Sequence, residues 1–75
     1  SKNNKFYRLE VFDITSASNY IKTFSDVKII AQENNILIIS IDSSEPTNML
    51  PMKLNDHASV KSVHRESNLI QYFYD

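Results

Sequence analysis

The sequence predicts an α+β fold, a small antiparallel sheet built in the order βαββαβ, with two helices on one face and a short helix at the C-terminus. An alternating run opens it between Phe6 and Phe12, with Tyr7, Leu9 and Val11 on one side and the charged Arg8 and Glu10 on the other. Two β-branched runs, Val27 to Glu33 and Ile36 to Asp42, are split only by Asn34-Asn35, a pair that tolerates the positive φ of a two-residue hairpin turn. Ahead of that hairpin, Ala17, Tyr20, Ile21 and Phe24 recur at the i, i+3, i+4, i+7 spacing of a helix with one buried stripe. At 75 residues the chain is read as one domain, residues 6–75. Ser1 to Lys5 form a polar lead-in, disordered or tag-derived.

Each element has a local cause. Asp13, Thr15 and Ser16 supply capping oxygens for the first helix, which is expected to end near Ser25. The second strand of the hairpin is apolar on both sides, through Leu37, Ile39, Ile41 and through Ile36, Ile38, which places it centrally with both faces covered. Ser43 to Thr47 read as a polar turn. Met49, Leu50, Met52 and Leu54 then suggest a helix to about His57, capped by Asn48 so that Pro51 falls in the first turn, where its missing N–H costs little. Val60 to Arg65 reads as the last strand, and the three-residue step from Val60 to Val63 marks a bulge. Ser67 or Asn68 can cap a terminal helix carrying Leu69, Ile70, Tyr72 and Phe73.

Right-handed crossovers in each βαβ half turn this order into a ferredoxin-like sheet. Tyr7, Leu9, Val11, Leu37, Ile39 and Ile41 would face the helices, leaving Phe6, Phe12, Ile30, Ile36 and Ile38 on the opposite side. That second face is too apolar to be bare, so the terminal helix, another domain or another subunit should cover it. Tyr72, Phe73 and Tyr74 cannot all face one core, and at least one is expected to meet a partner or this second face. The expected interface is therefore Phe6, Phe12, Ile30, Ile36, Ile38, Leu69, Tyr72, Phe73 and Tyr74.

Composition removes several function classes. The chain has no glycine, so neither a Walker loop nor a dinucleotide fingerprint nor a glycine-bracketed nucleophile elbow can form within it. It has no cysteine for disulfides or thiolate metal sites, which suits a reducing cytoplasm. A net charge of -1 without a basic stripe argues against nucleic acid. The longest apolar run, Ile36 to Ile39, is far short of the ~20 residues of a membrane span.

The remaining polar groups have plain readings. His57 and His64 match no metal-ligand spacing and read as surface histidines, His57 being favourable at a helix C-terminus. Asp42-Ser43-Ser44-Glu45 reads as a turn with capping groups rather than an acid–base or cation site. Four tyrosines and four phenylalanines lack the glycine and basic neighbours of an RNA-stacking sheet. No catalytic, cofactor or metal residue is assigned.

The stretch from Met49-Leu50 through Leu54-Asn55-Asp56-His57-Ala58-Ser59-Val60-Lys61-Ser62-Val63, followed by Arg65-Glu66-Ser67-Asn68-Leu69 and Phe73, resembles the end of ABC-transporter ATP-binding subunits. Those chains often close with a small accessory domain whose last helix has roughly the form Ser-Leu-Glu-Asp-x-Phe. Asn68 stands at the capping serine, and Leu69 and Phe73 match the apolar anchors. Ile70 and Gln71 replace the acidic pair, and His57-Ala58 stands where the family often has glycine. The resemblance implies a non-catalytic C-terminal domain of a drug- or antibiotic-exporter ATPase subunit, cytoplasmic and peripheral to the membrane. The parent's ATP and Mg would be bound upstream of Ser1. Implied partners are the chain's own ATPase core, a second copy or the permease. The alternative is a stand-alone ACT-like effector-binding or dimerisation module, whose usual glycine in the first strand-to-helix turn is missing at Asp13 to Ser16. An acylphosphatase-like enzyme would require an arginine in a glycine-rich phosphate loop there.

Overall fold

In the computed structural model, which describes residues 4–42 and 49–68, the chain runs β1 (Asn4–Val11), α1 (Ile14–Ile21), β2 (Val27–Glu33), β3 (Ile36–Asp42), α2 (Leu50–Asp56) and β4 (Val60–Arg65). The strands form one antiparallel sheet in the spatial order β2-β3-β1-β4. α1 joins two strands that have β3 between them, and α2 joins two that have β1 between them. The central pair, β1 and β3, thus carries the middle of the core.

β1 begins at Asn4, which pairs with Asp42, so Asn4 and Lys5 belong to the sheet rather than to the lead-in expected for residues 1–5. It ends at Val11, one residue before the expected Phe12, because Asp13 turns the chain into α1. The Asp13 backbone is extended, at φ -139° and ψ 108°, and its carboxylate accepts the Ser16 N–H at 3.0 Å, which satisfies one of the orphan donors of the first turn. α1 stops at Ile21, earlier than the expected Ser25. The Lys22 N–H still bonds back to the Ser18 carbonyl, and the Thr23 hydroxyl donates to the Tyr20 carbonyl at 2.6 Å. Phe24 reaches the core from the following turn instead of from the helix.

The β2–β3 hairpin has the expected limits, and Asn34 sits at φ 53°. Asn34 is the only described residue with positive φ, so the turn has the sign pattern of type II′ and not of type I′, which needs positive φ at both central residues. α2 starts at Leu50 with Pro51 in its first turn, as the sequence predicts. Its N-cap is Met49, which gives no side-chain hydrogen bond; Asn48 and the turn expected at Ser43 to Thr47 lie outside the described residues.

Two bulges adjust the faces. On β4 the pairing passes from Leu9↔Val63 and Glu10↔Ser62 to Val11↔Val60, leaving Lys61 as the extra residue. This is the bulge implied by the Val60-to-Val63 step, and it turns both valines toward one side. On β2 the pairing passes from Ile29↔Ile39 to Ala31↔Ile38, leaving Ile30 unpaired.

The core lies on the helix side of the sheet. Leu9, Val11, Leu37, Ile39 and Ile41 pack there with Ala17 and Ile21 of α1 and with Leu50 and Leu54 of α2. Each buried Leu or Ile contributes about 1.5–3 kcal/mol relative to exposure, so this layer is what holds both helices to one face. After β4, Glu66 to Asn68 carry no regular structure, and the terminal helix expected from Ser67 or Asn68 falls on residues 69–75, outside the described residues. No described helix is long and apolar enough to cross a membrane.

Candidate interaction surface

Side chains alternate along a strand, so the residues between the core positions form the sheet's other face. The ladder places Arg8 opposite both Ile38 and His64, Glu10 opposite both Ile36 and Ser62, and Phe6 opposite Ser40. Ile38 is buried, at 1% exposure, although it does not belong to the core beneath the helices. Ser40, two residues on, is 7% exposed. Phe6, Ile30 and Ile36 are half-buried. The face is therefore apolar along β3 and sealed at its centre.

Its border on the β1–β4 side is polar and internally paired. The Ser62 hydroxyl donates to Glu10 Oε1 at 2.9 Å. Arg8 Nε lies 3.7 Å from Glu66 Oε2. The pair is partly buried, with the Glu66 side chain 10% exposed and that of Arg8 34%, and it helps to fix where Glu66 sits. Glu66 is also held to β1 by its own N–H, which donates to the Phe6 carbonyl at 2.8 Å. Its second oxygen, Oε1, accepts the Asn68 N–H at 3.1 Å.

Of the residues expected to form an interface, Phe6, Ile36 and Ile38 are brought together on this face by β1 and β3. Ile30 lies beside them at the β2 bulge, and Ala31 rather than Ile30 takes the place opposite Ile38. Phe12 does not extend the patch. It lies beyond the end of β1 at 67% exposure, its N–H bonded to the Ser59 carbonyl at 2.8 Å. Leu69, Tyr72, Phe73 and Tyr74 lie outside the described residues.

The polar groups form two smaller features. A depression of about 250 Å³ opens at one end of the sheet, lined by Asn4, Ser25, Asp26, Lys28, Ser40 and Asp42. At the other, His57 is not the simple surface histidine expected from the sequence. It is half-buried after α2, its ring stacked on Tyr20 with centroids 4.0 Å apart. Its Nδ1 accepts the Ser59 N–H at 3.2 Å and lies 2.7 Å from the Ser59 hydroxyl. Because the backbone N–H can only donate, Nδ1 is the acceptor and the neutral ring carries its proton on Nε2. The His57–Ser59 spacing of two residues held a signal for this turn; the Tyr20 contact depends on tertiary packing and left none. Among the described residues no group of three or more His, Cys, Asp or Glu side chains could hold a metal ion.

Comparison of the chain with protein-family models, with curated proteins and with solved structures finds no match.

Proposed function

We propose that this chain is a non-catalytic interaction domain, the C-terminal accessory domain of an ABC-transporter ATP-binding subunit of the drug- or antibiotic-exporter type. The observation that carries the interaction reading is the second sheet face, where Ile38 is buried outside the helix-side core and is bordered by half-buried Phe6, Ile30 and Ile36. A sheet with helices on one side commonly leaves its other side polar and solvated; an apolar one suits a domain placed between other parts of an assembly. The family assignment rests on the resemblance from Met49 to Phe73. Its partners would be the ATPase core upstream of Ser1, a second copy or the permease, and ATP and Mg would belong to that core. The location would be cytoplasmic and peripheral to the membrane.

The fold part of the proposal is a ferredoxin-like arrangement closed by a short C-terminal helix. Read from the opposite edge, the strand order is β4-β1-β3-β2, which supports two interleaved βαβ units. The coding sequence upstream of Ser1 tests the parent: an ATPase core in frame is expected, and a reading frame that starts at this segment overturns the assignment. Binding tests the interaction: the ATPase core of that parent should bind this chain by calorimetry, and Ile36→Asp should weaken binding at least tenfold.

A further inference from the structure

The second face turns from apolar to polar along β3 beyond Ile38, and we infer that the depression at that end is a binding site for a basic free amino acid of the lysine or arginine type. Ladder pairing sets Asn4 against Asp42 and Lys28 against Ser40. The Asp42 N–H donates to the Asp26 carbonyl at 2.9 Å, which brings Asp26 alongside from the residue before β2. With Ser25 these residues line a space of about 250 Å³, so that two carboxylates, an amide, two hydroxyls and one ammonium are gathered there.

Ser40 separates this depression from an ordinary polar surface. It is 7% exposed and lines the depression, yet among the described residues its hydroxyl takes part in no hydrogen bond. A buried hydroxyl is ordinarily bonded, so its free capacity points to a group brought from outside the chain. The charged groups point the same way. Asp26, Asp42 and Lys28 form no ion pair among the described residues, whereas on the β4 side of the same face Glu10 and Ser62, and Arg8 and Glu66, satisfy each other. Asp26 and Asp42 stand opposite one another across the hairpin, where like charges cost stability and a cationic ligand reverses the cost. The lining carries two negative charges and one positive. Its complement bears two cationic groups and one carboxylate: an ammonium or guanidinium for the Asp carboxylates, with Asn4 Oδ1 and Ser40 Oγ as further acceptors, and a carboxylate for Lys28. A divalent cation matches less well, because it would meet only two carboxylates with the Lys28 ammonium in the same lining. The site lies at the other end of β3 from Ile36, and the inference does not rest on the transporter assignment.

The test is titration of the full, isotope-labelled 75-residue chain with L-arginine and with L-lysine at constant ionic strength, followed in nitrogen–proton correlation spectra. Saturable shifts at Asn4, Asp26, Lys28, Ser40 and Asp42 are expected with at least one of the two. Asp42→Asn should weaken that binding by about tenfold or more, through loss of a charge-assisted contact. Asp42 is exposed, so this variant keeps the fold, and its Tm without ligand should be unchanged or raised because two like charges no longer face each other. Lys28→Met should weaken arginine binding but not that of agmatine, which has no carboxylate. The absence of a saturable shift below about 10 mM of either amino acid would overturn the inference. So would equal shifts from sodium chloride, which mean general screening, or from calcium chloride alone, which mean a metal site. Because no ATPase core or permease is present, failure here is distinct from failure of the transporter assignment.

Discussion

Replacing Ile38 by alanine measures whether the second face is a core. The substitution removes three carbon groups from a side chain that is 1% exposed. At about 0.8 kcal/mol per buried carbon group the transfer loss alone is about 2.4 kcal/mol, and the unfilled space raises the range to roughly 2–5 kcal/mol. On an open, solvated face the same change would cost about 1 kcal/mol or less, mostly β-propensity. The two cases separate well by thermal unfolding, since 1 kcal/mol moves Tm by roughly 4–8 °C in a domain of this size. A fall of at least about 10 °C is expected. Ile36→Ala, at a half-buried position on the same strand, serves as the internal comparison and should cost about half as much. If Ile38→Ala lowered stability by less than about 1 kcal/mol, the face would be solvated and the reasoning from its burial would fail.

Other substitutions probe the local devices. Asp13→Ala removes the α1 cap and should destabilise by about 1 kcal/mol, whereas Asp13→Asn, which caps equally well, should leave Tm nearly unchanged in the same scan. Asn34→Val forces a β-branched residue to φ 53° and should cost roughly 1–2 kcal/mol in urea unfolding; Asn34→Gly should not destabilise, and equal losses in both would show that the turn has another conformation. Long-range nitrogen–proton spectra should find the neutral His57 ring protonated at Nε2, and a proton on Nδ1 would contradict the Ser59 N–H contact.

The parts of the fold legible in the sequence were those with a change of period or of polarity. The hairpin limits follow from a β-branched run, two asparagines and a second run, and the β4 bulge follows from a spacing of three between valines that must share a side. The β2 bulge was illegible because Ile29, Ile30 and Ala31 are all apolar, so a slip of one residue leaves no mark in the pattern. The end of α1 was misplaced because Phe24 keeps helical spacing while occupying the turn after the helix. On the second face, Phe6, Ile36 and Ile38 followed from alternation alone. The Glu10–Ser62 and Arg8–Glu66 contacts did not, since they join residues more than fifty positions apart and depend on the register of β4.

How this domain can associate is further limited by its edges. The outer strands β2 and β4 each carry a bulge, at Ile30 and Lys61, and each presents an exposed lysine, Lys28 or Lys61. A bulge interrupts the regular spacing of N–H and C=O groups that an added strand must match, and a lysine on an edge must be desolvated or displaced when another strand pairs there. Both edges are thus poor templates for strand addition. Packing of side chains on the face around Ile36 and Ile30 meets neither obstacle, because the backbone groups of β3 are already paired on both sides by β1 and β2. Association through that face adds apolar contact without leaving any ladder hydrogen bond unmade, which is why Ile36→Asp, rather than a proline on either edge strand, is the substitution expected to separate the domain from a partner.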